Sequence, residues 1–192
     1  MERTIRDIRL RFTWKQYESA AKKLLAEYAR LNEAQRLFKP SAAEWSIAQV
    51  FFHLDTMQEL SRISMENRIK SGKAKRAGLK HSWRYIRLIT ALALPLKYRV
   101  PQAGAATISD TIVHDVYPER WKQSLVTMEE FLSVLPDSQK NNLLFMHPLA
   151  GPLPVCLTIG FLRAHLKHHK RQLKRIRRSP GFPVHDLRVP GN

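Results

Sequence analysis

Three of the eight histidines of this chain fall within five positions of one another, in the basic stretch FLRAHLKHHKRQLKRI. His165 and His169 are four residues apart, so on a helix both imidazoles project from one face toward neighbouring coordination positions. Two such side chains make half of a metal site. His53, which falls on the apolar stripe of a different predicted helix, is the outstanding candidate for a third ligand.

Three neutral imidazoles indicate a particular class of metal centre. Imidazole nitrogen binds Zn²⁺, Ni²⁺ or Fe²⁺ well, and three protein ligands leave coordination positions open for water or substrate. This is the pattern of a catalytic site rather than of a closed structural one. An ion held in this way lowers the pKa of a bound water or thiol and so provides a nucleophile at neutral pH.

Simpler explanations exist for each of these side chains. A histidine on a helix seam is most often a hydrogen-bonded core residue, and a pair four residues apart can arise by chance in a basic helix. We expect His168 to point away from the pair into solvent. Cys156, the single cysteine, is expected to be a small apolar filler near a loop. One cysteine makes no internal disulfide or cysteine-rich zinc cluster, which favours a reducing cytoplasm.

Three further side chains are candidates for contacts with the site. His147, in the segment MHPLAG, fits a turn residue, a partner of a ligand, or a substrate contact. Gln49 shares a helix face with His53, and Gln172 follows His169 by three residues, where it either orients that ligand or packs. A glutamine hydrogen-bonds rather than takes a proton, so the catalytic residues remain unknown.

Hydrophobic periodicity predicts the helices that must hold these side chains. The first helix runs to about Phe38, where Lys39-Pro40 stops it. Its apolar positions are spaced alternately by three and four residues: Trp14, Tyr17, Ala21, Leu24, Tyr28 and Leu31. The second helix begins at Ser46, which forms a capping box with Gln49, while Trp45 can staple onto Val50.

The middle of the chain is less regular. Residues 71–81 are predicted to be an exposed basic connection, and the following SWRYIRLITALAL is predicted to be a helix that Pro95 ends. From there to Tyr117 we expect a loop that covers one end of the fold. Pro118 opens another helix, whose apolar positions are again spaced by three and four: Trp121, Leu125, Met128, Leu132 and Leu135.

The last helix is predicted to follow a proline-punctuated loop, NNLLFMHPLAGPLPVC, with Thr158 as its N-cap. Its inward seam is Ile159, Leu162, Leu166, His169, Leu173 and Ile176. No segment alternates convincingly as a strand, so the sequence predicts an all-α bundle. One domain is expected over 1–192, with a core of about 12–178 and a tail of 179–192.

The charge balance is unusual. The chain has 33 Lys+Arg against 16 Asp+Glu, a formal net charge of +17, which favours anionic substrates or polyanions as partners. A basic stripe on the outer side of the last helix predicts an alternative function, a non-catalytic module that binds nucleic acid or another polyanion: Lys167, Arg171, Lys174 and Arg178. No recognised nucleic-acid motif accompanies it, so a solvated outer face is the favoured explanation of the stripe. The longest apolar stretch, LITALALPL, is too short to span a bilayer, so we expect no membrane partner.

Three segments together resemble a known family. WSIAQVFFHL at 45–54, FMHPLAGPLP at 145–154 and HLKHHKRQL at 165–173 are similar to the signature segments of the DinB-like (YfiT-like) metalloenzyme superfamily, in its subgroup of unknown function. The resemblance implies a four-helix bundle of up-down-down-up topology, here with an extra central helical and loop insertion. It also implies that His53, His165 and His169 bind a divalent metal.

The activity implied by the resemblance is broader than the site. Family members include thiol S-transferases that use low-molecular-weight thiols, a maleylpyruvate isomerase and proteins described as metal-dependent hydrolases. A small-molecule substrate is therefore expected, and the net charge and the basic insertion at 70–87 favour an anionic thiol or carboxylate. Similar proteins dimerise through bundle helices, so a homodimer is also expected. Fold and metal do not by themselves fix the reaction.

Overall fold

The computed structural model describes residues 4–93 and 117–183, and it is mainly helical, as the sequence predicts. Its helices are α1 (Ile8–Ala29), α2 (Glu33–Leu37), α3 (Ile47–Lys70), α4 (Leu79–Ala93), α5 (Tyr117–Val134) and α6 (Val155–Arg177), with a 3₁₀ turn at Asp137–Gln139 and two strands, β1 (Leu143–His147) and β2 (Gly151–Pro154). Most of the predicted loop after Pro95 and most of the predicted tail lie outside the described residues. None of the helices in the described ranges is both long and apolar enough to cross a bilayer.

The first predicted helix is two helices in the structure. Helix α1 begins after Asp7, whose carboxylate accepts a hydrogen bond from the backbone N–H of Leu10, and it ends at Ala29. The chain then leaves the helical conformation at Asn32, which forms a reciprocal capping box with Gln35 and starts α2. A single helix to Phe38 was therefore a wrong prediction, because local side-chain hydrogen bonds at Asn32 compete with helix continuation.

Helix α3 starts as the capping box predicts. The N–H of Gln49 donates to the hydroxyl oxygen of Ser46 at 3.2 Å, and the N–H of Ser46 donates to the Gln49 side-chain oxygen at 2.9 Å. These bonds satisfy N–H groups that have no partner inside the helix. The buried face of the helix then carries His53 inward among apolar neighbours.

The segment before the last helix is a β-hairpin rather than a loop. Strands β1 and β2 pair antiparallel, with Phe145 opposite Leu153 and His147 opposite Gly151. A strand that pairs on one side only tolerates proline, which explains why Pro152 does not prevent pairing. The Thr158 cap was also a wrong prediction: α6 already begins at Val155, and the Thr158 hydroxyl donates to the backbone oxygen of Pro154 inside the first turn.

Buried polar side chains bind the helices together across the core. The Gln58 side-chain oxygen on α3 accepts hydrogen bonds from the Tyr17 hydroxyl at 2.8 Å and from the Trp121 indole N–H at 3.1 Å, so that it joins α1, α3 and α5. Asp55, also on α3, is fully buried and accepts from the Ser124 hydroxyl at 2.8 Å and from the Arg120 guanidinium. Buried pairs of this kind hold helices in a fixed register, which in turn fixes where the side chains of α3 point.

Candidate metal centre

The three predicted ligands come together in the structure. His53 on α3 meets His165 and His169 on α6, and one ring nitrogen from each lies within 4.8 Å of the other two. The His165 Nε2 atom is 3.2 Å from the His53 Nε2 and 3.0 Å from the His169 Nε2. His53 and His165 are each 9% exposed and His169 is 5% exposed, so the cluster is nearly closed to solvent.

These distances fit a shared metal ion. A zinc–imidazole bond is about 2.0–2.1 Å, which places two ligand nitrogens about 2.9 Å apart at a right angle and about 3.4 Å apart at a tetrahedral angle. The two Nε2 separations given above fall within that range. The donor set holds three imidazoles and, among the residues the structure describes, no carboxylate. A divalent ion bound there would keep its full positive charge.

A hydrogen bond at the far side of His169 sets its tautomer. The His169 Nδ1 atom is 2.7 Å from the Gln172 side-chain oxygen, which can only accept, so Nδ1 carries the proton. The neutral ring then presents the lone pair of Nε2 to His165 and His53. Metal-binding histidines are usually oriented in this way by an acceptor at the other ring nitrogen. Of the two roles open for Gln172, this hydrogen bond fits orientation of the His169 ring.

Burial keeps the cluster uncharged. It lowers the pKa of His53 to about 4, and it lowers the pKa values of His165 and His169 well below the usual range. The neighbouring imidazoles add to the effect, since two adjacent rings cannot easily both carry a proton. All three rings are therefore neutral at pH 7, which is the protonation state that metal binding requires.

Two aromatic side chains pack against the histidine cluster. The Trp45 ring is half-buried, stacks on His169 with ring centroids 6.2 Å apart, and lies 5.1 Å from the His53 ring. Phe161 stacks on His165 with centroids 5.3 Å apart. The sequence pointed to neither role: Trp45 was predicted to staple a helix start, and Phe161 was given no role. Phe161 lies four residues before His165, so helical spacing was the available signal.

His147 lies beside the cluster but not in it. Its Nδ1 atom accepts hydrogen bonds from the backbone N–H groups of Leu149 and Ala150, both at 3.1 Å, and its ring packs edge-on against Phe161. Because Nδ1 is an acceptor, the proton of the neutral ring is on Nε2. Of the predicted alternatives, His147 is therefore a turn residue. Phe161 lies between its ring and the His165 ring and contacts both.

The other predicted contacts have structural partners. The Gln49 side-chain oxygen caps α3. His168 was predicted to point into solvent, but it is half-buried. Its Nδ1 donates to the backbone oxygen of Leu92 at 3.2 Å. Cys156 is partly exposed, and burial raises the pKa of its thiol. Arg171, one of four residues of the basic stripe, also donates to the Leu92 oxygen, so part of that stripe fastens α4 to α6.

Comparison with known proteins finds no family model that matches the chain and no similar curated protein or solved structure. Function depends on the geometry and chemistry of a site rather than on the fold that carries it. That geometry is a nearly closed, neutral cluster of three imidazoles with one ring oriented by a glutamine.

Proposed function

We propose that this chain is a metal-dependent enzyme of the DinB-like superfamily in which His53, His165 and His169 hold a zinc, nickel or iron ion. The observation that carries the proposal is the convergence of three ring nitrogens from helices far apart in sequence. The proposed architecture is a single-domain, four-helix bundle of up-down-down-up topology formed by α1, α3, α5 and α6. Helix α4 then belongs to a central insertion.

The proposed reaction is either hydrolysis of a small substrate or thiol S-transfer to it. A divalent ion supplies Lewis acidity, which lowers the pKa of a water or thiol and makes it nucleophilic at neutral pH. The chain contributes the surroundings. Gln172 holds the His169 ring in the metal-binding tautomer, and Trp45 and Phe161 exclude water from the ligands, which strengthens electrostatic interactions within the site.

An anionic substrate, such as a low-molecular-weight thiol or a carboxylate, suits this site best. Three neutral ligands leave the charge of a divalent ion uncompensated, so an anion that approaches it restores neutrality. The net charge of +17 raises the local concentration of anions in the same way. We further propose a cytoplasmic location, in keeping with the single cysteine, and a homodimer as the assembled state.

The first experiment is elemental analysis of protein purified without an affinity tag, comparing the wild type with His169→Ala. His168→Ala is the matched control, since it removes an imidazole from the same helix that is not one of the three converging ligands. We expect about one ion per chain in the wild type and the control and none in His169→Ala. A positive result leads directly to a screen of thiol-transfer and hydrolysis substrates.

Two outcomes would contradict the proposal. Absence of metal from the wild type, even after reconstitution with zinc, nickel and iron, would remove the enzyme hypothesis and leave the basic surface as the feature to explain. Metal that persists in His169→Ala but is lost in His168→Ala would place the site elsewhere. Circular dichroism of both variants separates loss of the metal from loss of the fold.

A further inference from the structure

Helix α4 exposes an apolar pair on its outer side. Trp83 is 69% exposed and Ile86 is 46% exposed, and three residues apart on a helix they lie on the same face. The inner side of the helix is occupied, because Leu88 is buried and Tyr85 lies against Gly160 of α6. Its C-terminal end is also fastened, since the Leu92 oxygen accepts from two side chains of α6. The outer face is thus the side of α4 that is left for a partner.

The same region carries only positive charge. From residue 67 to residue 93 the chain contains no Asp or Glu, whereas it contains eight Lys and Arg: Arg68, Lys70, Lys73, Lys75, Arg76, Lys80, Arg84 and Arg87. Five of these side chains are exposed: Lys73, Lys75 and Arg76 in the connection before α4, and Arg84 and Arg87 on α4 itself. The nearest preceding carboxylates, Glu59 and Glu66, both pair with Arg62. In the part of the chain that the structure describes, no ion pair involves Arg84 or Arg87.

We propose that the outer face of α4, together with the basic connection at 71–78, binds the surface of an anionic phospholipid membrane. Tryptophan prefers the boundary between lipid headgroups and acyl chains, and an adjacent isoleucine enters the acyl region with it. Arginine and lysine beside them pair with the phosphates of a negatively charged lipid surface. This proposal departs from the sequence-based expectation of no membrane partner, which rested on the lack of a spanning segment, because a helix that lies on a membrane needs no such segment.

The mixture of side chains favours lipid over a nucleic acid. Both partners offer phosphates to Arg84 and Arg87, and an exposed tryptophan can stack on a base. The exposed Ile86, however, gains a matching environment only where the partner is also apolar. The amphipathic pattern of a basic helix with an aromatic and an aliphatic residue on one face is typical of membrane-surface helices.

The test is flotation of the full chain with vesicles of phosphatidylcholine alone or of phosphatidylcholine mixed with phosphatidylglycerol. We expect the wild type to float with the mixed vesicles only. Trp83→Ala/Ile86→Ala and Arg84→Gln/Arg87→Gln should each bind these vesicles about tenfold more weakly or worse, since each removes one of the two interactions. All four side chains are exposed, so the fold should survive the changes.

Two matched variants isolate the position on α4. Leu60→Ala/Ile63→Ala removes an exposed apolar pair with the same spacing from α3, and Lys167→Gln/Lys174→Gln removes two exposed charges from α6. Both should float like the wild type, as should His169→Ala, because the proposal does not depend on the metal centre.

Three outcomes would overturn the proposal. These are failure of the wild type to float, equal binding to neutral vesicles, and losses in the matched variants as large as those in the α4 variants. Retention on duplex DNA that is lost in the α4 variants, without vesicle binding, would overturn it in favour of nucleic acid.

Discussion

The hydrogen bond between Gln172 and the His169 ring determines which nitrogen of that ring faces the cluster. We expect Gln172→Ala to reduce the affinity for zinc about 10- to 100-fold, because the ring then loses the acceptor that fixes its orientation and tautomer. Gln172→Glu keeps an acceptor at the same place and should retain most of the affinity. A competitive titration against a chelator measures both variants.

Gln123→Ala is the matched control for this prediction, since Gln123 is an exposed glutamine on a different helix. It should bind zinc like the wild type. Equal affinities of Gln172→Ala and Gln123→Ala would mean that packing alone orients the His169 ring. A loss in Gln172→Glu as large as in Gln172→Ala would count against the acceptor as the cause.

Spacing alone identified the three histidines, because residues four apart on a helix share a face and an apolar stripe points to the interior. The same rules could not give the contacts that come from other elements. His168 was expected in solvent because its own helix directs it away from the seam, but α4 supplies the Leu92 oxygen there. Trp45 reaches the cluster from the turn before α3, a position that periodicity does not describe.

At the scale of elements, α4 and α6 approach each other most closely at Gly160. A Cβ atom at this position would lie 2.3 Å from the Tyr85 hydroxyl oxygen and 3.3 Å from the ring carbon that bears it. We expect Gly160→Ala to destabilise the protein by about 1–3 kcal/mol, since the half-buried Tyr85 has to move to make room. Urea unfolding followed by circular dichroism measures the effect.

The effect should be much smaller when the Tyr85 hydroxyl is removed. In a Tyr85→Phe background the 2.3 Å contact is absent and the 3.3 Å contact with the ring carbon remains, while alanine is favoured over glycine inside a helix by about 0.5–1 kcal/mol. Gly160→Ala should then destabilise the protein far less than it does with Tyr85 present. If it destabilises both backgrounds equally, the close contact between Gly160 and the Tyr85 hydroxyl is not what limits this position.

Elements marked by local hydrogen bonds were predictable from the sequence, whereas elements that depend on a pairing partner elsewhere in the chain were not. The capping box of Ser46 and Gln49 marked the start of α3 because both hydrogen bonds are local. The hairpin of β1 and β2 was missed because prolines and a glycine read as a loop when the pairing partner is not considered. Gly151 has a φ of 70°, a left-handed conformation that the turn between the strands requires and that glycine adopts without strain.

At the scale of the whole molecule, buried histidines should make stability depend on pH. Burial lowers the pKa of His147 to about 4, whereas an unfolded histidine titrates near 6.5. Between these values the unfolded chain binds more protons, so the free energy of unfolding rises with pH and reaches its full value above about pH 6.5. His53 contributes in the same direction. We expect metal-free protein to lose stability as the pH falls from 6.5 toward 4.

The His147→Asn variant measures how much this one residue contributes to the pH dependence of the free energy of unfolding. Asparagine keeps an oxygen that can accept from the N–H groups of Leu149 and Ala150, but it does not titrate. The loss of unfolding free energy between pH 7 and pH 4 should be smaller in this variant by about 3 kcal/mol. Identical pH profiles for the two proteins would mean that His147 titrates normally in the folded state.

The helical class was predictable from composition and periodicity, because each long helix carries its own apolar stripe. The arrangement of helices was not, since it depends on contacts between residues far apart in sequence. Gln58 is an example: its polar side chain gave no signal, yet it accepts hydrogen bonds from α1 and α5 together. Net charge by itself gave no position, whereas the exposed side chains of α4 give one candidate surface in addition to the basic stripe of α6.

The separation of the three clustered histidines along the chain has a consequence for when the proposed site can form. His165 follows His53 by 112 residues, which take on the order of ten seconds to synthesise at about 5–20 residues per second. During that interval α3 emerges from the ribosome with one imidazole and no partner from α6. In the proposed metal centre, an ion can be held by all three imidazoles only after α6 has been synthesised, so that occupancy would mark chains in which both α3 and α6 are present.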